Sequence, residues 1–137
     1  MTPRPQPETV DDGFFPRAEL PQPFGPPVPI CWAAQAPDSQ RLYLEDLDTW
    51  VTWLVAHYSL DRRHVPECWD EHWELVEELA ALHLAWEGAF ATTAQSDAPL
   101  SWHERFAASR SRLTEWVSRT GCRPGAHRSR SPGLATR

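Results

Sequence analysis

The sequence of 137 residues has no apolar run of about 18 residues and no basic-then-apolar amino terminus. A membrane-spanning helix needs about 20 mostly apolar residues, and a secretory signal needs both of those amino-terminal regions. Its three cysteines, Cys31, Cys68 and Cys122, lack paired spacing, and an odd number is more typical of a reducing compartment than of a disulfide scaffold. We therefore predict a cytoplasmic protein without membrane contact.

Catalytic motifs are also missing. The sequence contains no nucleophile elbow, no phosphate-binding loop and no HExxH pattern. Glu87 falls on the apolar side of a predicted helix, where a carboxylate is costly unless paired. We expect it to bond an Arg or a Trp N–H of the last helix, and a general acid or base is the alternative. The prediction is a non-enzymatic protein without a cofactor.

Lysine is absent, so every basic residue is an arginine, and the net charge of −6 is unevenly distributed. Residues 1–103 hold 5 Arg against 17 acidic residues, whereas residues 104–137 hold 8 Arg against 2. Six of these arginines form a helix edge with a basic extension: Arg105, Arg112, Arg119, Arg123, Arg128 and Arg130. They indicate either a DNA-contacting edge with salt-dependent affinity or pairing with the acidic side of the central helix.

Proline is concentrated at the start, with 10 of the 14 prolines in the first 37 residues. We predict a disordered Pro-rich arm over 1–38, a helical domain over 39–122 and a disordered basic tail over 123–137. Apolar side chains among the prolines, Phe14, Phe15 and Trp32, are typical of peptide ligands. The equal alternative is that Ile30 and Trp32 fold back onto the helices.

Apolar periodicity predicts an all-α bundle with helices over 42–59, 67–90 and 101–120, organised around a long central helix. Pro66 suits its first turn and Gly88 is a possible stop. Ser101 and Glu104 form a capping-box pattern, and Gly121 predicts the end of the third helix. Eight tryptophans, each able to bury about 150–250 Å², make a small core feasible.

Eight indoles are difficult to shield in so small a domain. Trp53, at the edge of the first helix's apolar face, and Trp32 are therefore candidates for a partner-binding or self-association surface.

Cys68 and His72 are four residues apart, a suitable spacing for two ligands of a tetrahedral metal. His64, His103 or Cys122 would complete the set. The preferred interpretation is that Cys68 is a small buried apolar residue and His72 a hydrogen-bonded core histidine, because the sequence shows no CxxC, no HxxxH and no second close pair of potential ligands. We predict no metal on this basis.

A set of residues spread over 42–122 matches a known pattern. They are Trp50, Leu54, Tyr58, Pro66, Trp69, His72, Leu79, Leu82, Ala85, Trp86, Glu87, Trp102, Leu113 and Cys122. In these positions the chain resembles DUF4913, an actinobacterial family of domains of unknown function that is often encoded on plasmids and mobile elements. It departs from the family pattern at Val65, at Cys68 and at the His72–Trp73 step.

The resemblance implies a helical domain and a genetic setting, and it transfers no catalytic residue. We therefore predict an accessory protein of a mobile element that engages an unknown protein partner through its Trp-bearing surface and its arm. A weakly DNA-associated protein is the alternative, and a metal protein or an enzyme is a third possibility.

Overall fold

The computed structural model describes residue 20 and residues 22–25, 27–123 and 127. These residues form three α-helices and two short 3-10 helices and contain no β-strand, so the predicted all-α bundle is confirmed. Helix α1 spans Pro37–His57, α2 spans Trp73–Ala89 and α3 spans Ala98–Thr120. The 3-10 helices cover Trp32–Ala34 and Trp69–Glu71. None of these helices has the length and apolar character that crossing a membrane requires.

The two ends of α3 differ in how well the sequence predicts them. Pro99 lies in its first turn, where a missing N–H costs nothing. The predicted capping box is wrong, because Ser101 already lies inside the helix and donates its N–H to the carbonyl of Asp97. Gly121 ends α3 in the left-handed conformation, with φ of 73°, as predicted.

The prediction of one continuous helix over 67–90 is wrong at its beginning. The chain first forms the 3-10 helix at Trp69–Glu71, and His72 is extended with φ −126° and ψ 111° before α2 starts at Trp73. A 3-10 turn repeats every three residues, so its apolar spacing is difficult to distinguish from that of an α-helix. The predicted stop at Gly88 is also wrong, since α2 continues to Ala89.

Helix α2 is central, although it is the shortest of the three α-helices in the described residues. It packs against both α1 and α3. Trp102 near the start of α3 donates its indole N–H to the carbonyl of Leu82 at 3.2 Å, whereas Cys122 just after α3 contacts His72 before α2. The two helices are therefore antiparallel.

The hydrophobic core draws on all three α-helices and both 3-10 helices. Its most deeply buried apolar members are Trp32, Leu47, Trp50, Val51, Leu54, Leu75, Val76, Leu79, Leu82, Trp102, Phe106 and Leu113. This core fixes the start of α2 against the end of α3, where the candidate site lies.

Candidate metal centre

The segment before α2 places two potential ligands on one side of the site. Trp69 is 6% exposed and anchors the 3-10 helix in the core. Since Cys68 precedes this helix and the extended His72 follows it, both side chains face the same space, with His72 Nε2 3.6 Å from Cys68 Sγ. His72 is completely buried.

The end of α3 supplies the other side. The left-handed Gly121 reverses the chain direction after Thr120. Cys122 follows, and its backbone N–H donates to the Thr120 hydroxyl at 3.2 Å. This turn directs the Cys122 thiol at His72, with Sγ 3.4 Å from Nε2.

A fourth side chain completes the cluster. His127 Nδ1 lies 3.4 Å from Cys122 Sγ. The ligand atoms of Cys68, His72, Cys122 and His127 all lie within 4.8 Å of one another. The described residues thus bring two thiols and two imidazoles together around one point.

These separations match those around a tetrahedral zinc ion. Bonds of about 2.3 Å to sulfur and about 2.0 Å to nitrogen at a tetrahedral angle place S and N about 3.5 Å apart. Three of the four S–N pairs in the cluster are 3.6, 3.4 and 3.4 Å apart, and the fourth pair, Cys68 with His127, lies within 4.8 Å. The donor atoms therefore need little movement to coordinate such an ion.

His127 is oriented by a carboxylate. Its Nε2 lies 3.1 Å from Glu71 Oε2, on the opposite side of the ring from the Nδ1 that faces the thiols. A proton on Nε2 that bonds Glu71 leaves Nδ1 as a lone-pair donor. Carboxylate–histidine pairs of this kind fix the ring and tautomer of metal-ligating histidines.

Burial disfavours negative charge on groups in and beside the cluster. Burial, followed by the adjacent thiol of Cys122, raises the pKa of Cys68 to about 11. Burial also raises the pKa of Asp70, which neighbours Glu71. A bound divalent cation would reverse this preference at Cys68, because a thiol that coordinates a metal is deprotonated.

Three of the four cluster members are predicted from the sequence, and His127 is not. Cys68, His72 and Cys122 come together, whereas His64 lies beside Asp61 and His103 lies beside Tyr58.

A signal for the fourth member was present. Cys122 and His127 form a second close Cys–His pair, and the judgement that the sequence lacks one is wrong. Composition assigns residues 123–137 to a disordered tail, so His127 is not among the predicted ligands.

Glu87 has a different partner from the one predicted. Its Oε1 lies 2.7 Å from Nε2 of His83, one turn earlier on the same helix, so the expected bond to α3 is not the one formed. Burial raises the pKa of Glu87, and burial lowers the pKa of His83 to about 4. His83 also stacks on Trp50, with ring centroids 4.7 Å apart. Burial thus favours the uncharged forms of both groups, and one face of the His83 ring is covered by indole.

The structure places two arginines of the predicted DNA-binding edge beside acidic groups. Arg112 pairs with Glu78 of α2, which is the intramolecular arrangement that charge compensation predicts. Arg119 pairs with Glu115, one turn earlier on α3. Arg105 and Arg123 are exposed, and Arg128 and Arg130 lie outside the described residues. The DNA contact stays a prediction.

The structure also shows the burial and contacts of two residues predicted to bind a partner, Trp32 and Trp53. Trp32 is only 5% exposed and packs in the core, which favours the alternative in which the arm folds back at this point. Trp53 is half-buried and contacts Trp86 at 5.3 Å between ring centroids. Phe14 and Phe15 lie outside the described residues.

Comparison with known proteins identifies no family for this chain. No family model matches the chain, and neither a curated protein nor a solved structure matches it. Functional inference therefore rests on the site itself.

Proposed function

We propose that this protein is a non-catalytic helical interaction protein stabilised by one zinc ion bound to Cys68, His72, Cys122 and His127. The observation that carries the proposal is the convergence of these four donor atoms, within 4.8 Å of one another, from both ends of the chain segment that forms α2 and α3. Mixed thiolate and imidazole donors in a tetrahedral arrangement select zinc over calcium or magnesium, which prefer oxygen.

The number of ligands supports a structural role. Catalytic zinc sites keep a coordination position open for water or substrate, whereas four protein ligands fill a tetrahedral shell. Two thiolates also neutralise the ion, so the site has little Lewis acidity to offer a substrate. The zinc therefore holds the segment after α3 against the start of α2.

The interaction role follows from the same arrangement. A bundle fixed at one end by zinc presents rigid helix surfaces to a partner, and a reducing cytoplasm keeps both thiols available as ligands. An accessory role in an actinobacterial mobile element remains part of this proposal, supported by the sequence resemblance alone.

Metal content of the full-length protein, purified without a tag, tests the proposal. We expect about one zinc ion per chain, since the four donors form one tetrahedral set. Cys122→Ser should lose most of this zinc. Cys31→Ser is the matched control, because Cys31 is exposed and belongs to no cluster among the described residues, and it should retain the metal.

A second variant separates the metal site from a merely buried histidine. Glu71→Gln leaves all four ligands in place but weakens the acceptor of the His127 N–H, and we expect zinc affinity to fall by about 10- to 100-fold. A competition titration with a chromogenic chelator measures this. Zinc-free protein with a Cys68–Cys122 disulfide, or equal zinc content in wild type and Cys122→Ser, would overturn the proposal.

A further inference from the structure

A cavity of about 340 Å³ lies where the first 3-10 helix, α1 and the start of α2 meet. Its lining residues combine aromatic, acidic and amide side chains: Trp32, Ala33, Gln40, Trp73, Glu74 and Glu77. The volume is at the small end of the range for ligand sites, about 300–1,000 Å³, so it suits one long side chain better than a large cofactor.

The aromatic wall is held in place by its surroundings. Trp32 and Trp73 contact each other with ring centroids 5.9 Å apart and planes tilted by 58°. Gln40 donates its side-chain N–H to the carbonyl of Trp32 at 2.9 Å, which ties the 3-10 helix to α1. Trp73 is only partly buried, so part of its indole remains available to a ligand. A ligand therefore meets a preformed wall.

The charge of the cavity selects a cation. Glu74 and Glu77 both line it, and none of the six lining residues is basic. Glu77 is exposed and makes no ion pair with another residue in the described part of the chain. Indole faces attract cations through their quadrupole, and nearby carboxylates strengthen that attraction.

Between the two common cationic side chains, arginine fits better. A planar guanidinium can stack on an indole while its N–H fork binds a carboxylate, whereas an ammonium is a more strongly hydrated point charge. The chain itself uses the stacking contact twice on α3, where Arg110 lies 4.9 Å from the Phe106 ring centre and Arg119 lies 5.1 Å from that of Trp116.

We infer that this cavity is a docking site for an arginine side chain of a partner protein, with Trp73 supplying the stacking face and Glu77 the carboxylate. The inference names the chemistry of the partner in the proposed interaction role and does not depend on zinc. The cavity is distinct from the metal cluster, none of whose members lines it.

Calorimetric titration of zinc-loaded full-length protein with an end-blocked heptapeptide, whose one charged residue is a central arginine, tests the inference. We expect saturable binding that weakens at least about 10-fold when citrulline, which is uncharged, replaces arginine. Glu77→Gln should weaken binding about 5-fold or more, and Trp73→Ala by more than that. Glu45→Gln, an exposed charge change on α1 away from the cavity, is the matched control and should bind as wild type does.

The outcomes separate cleanly. Equal affinity for the citrulline peptide, or binding that Glu77→Gln leaves unchanged, overturns the inference. Binding that appears only after Arg128→Gln and Arg130→Gln would mean that the protein's own basic tail occupies the cavity, and this also overturns it. Zinc content, measured on the same samples, should stay unchanged in the cavity variants, so failure of the docking site is distinguishable from failure of the metal site.

Discussion

Two histidines flank the first part of α2, one fully buried just before the helix and one mostly buried within it, but the partners of the two rings differ. His72, just before the helix, faces the thiols of Cys68 and Cys122, and His127 completes the cluster. His83, within the helix, bonds Glu87 and stacks on an indole. The first ring belongs to a set of donors that fits a metal, and the second belongs to an aromatic core.

The difference shows that burial alone does not give a histidine its role. At the His83 end, apolar neighbours disfavour the charged imidazole and lower its pKa to about 4. At the His72 end, two sulfur atoms lie within 3.6 Å of the ring nitrogen and offer the kind of donors that a zinc ion binds. Four predictions test whether the two ends behave independently.

The largest loss of stability should come from a substitution in the aromatic core. Trp102 is 1% exposed, so Trp102→Ala should lower the free energy of unfolding by about 3–5 kcal/mol through lost burial and a cavity. Chemical denaturation measures this. Trp102→Phe keeps a ring but loses the N–H bond to Leu82 and should cost about 1 kcal/mol plus the lost ring area. Loss of zinc from folded Trp102→Ala would show that the ends are coupled.

Removal of the proposed zinc should destabilise only the part of the protein that contains His72. At free zinc 1,000-fold above its dissociation constant, chelation should lower the unfolding free energy by about 4 kcal/mol. Thermal unfolding with and without chelator measures the shift. The change should vanish in Cys122→Ser and persist in Cys31→Ser. A chelator effect of the same size in both variants would contradict the assignment of Cys122 as a ligand.

The third effect is a pH dependence from His83. Unfolded, this ring takes up a proton near its usual pKa of about 6.5, but the folded protein does so only near 4. The unfolded chain therefore binds more protons between these values, so stability is lost as pH falls from 6.5 towards 4. The raised pKa of Glu87 acts in the opposite direction, which leaves about 1–3 kcal/mol.

His83→Gln tests this assignment, because it keeps a donor for Glu87 but cannot titrate. Its unfolding free energy, measured between pH 4 and 6.5, should depend less on pH than that of wild type. Parallel profiles for the two proteins would show that His83 contributes nothing to the slope. Zinc release affects both proteins alike, so the difference between the profiles isolates the His83 end.

The smallest effect should come from the surface between the two ends. The Arg112 side chain is 53% exposed where it pairs with Glu78, so Arg112→Ala should change stability by less than about 1 kcal/mol. Added salt should shrink the difference further. A larger loss in a denaturant titration would indicate that the pair orders α3 against α2. Retention of DNA at low salt that depends on Arg112 would instead favour the DNA-contact hypothesis.

Much of the fold could be predicted because it depends on local periodicity. The apolar rows of α1 and α3 and the stop at Gly121 all follow from residue spacing and glycine's conformational freedom. The break at His72 could not be read in this way, since a 3-10 turn and an α-helix space their apolar residues similarly.

The candidate site was only partly predictable for a related reason. Cys68 and His72 are neighbours in sequence, and their pairing could be expected from spacing. Their meeting with Cys122 and His127 depends on how α3 packs against α2, which no local pattern encodes. The exposed His127 also stood among residues that composition assigned to a tail.

The 50-residue separation of His72 and Cys122 has a consequence for biosynthesis. Chains leave the ribosome amino terminus first, so a nascent protein presents Cys68 and His72 long before their distant counterparts emerge. Only a polypeptide synthesised through residue 127 contains all four proposed ligands. Truncated products lack at least one of them and would bind zinc less tightly. Under the zinc proposal, metal binding would therefore distinguish full-length chains from fragments.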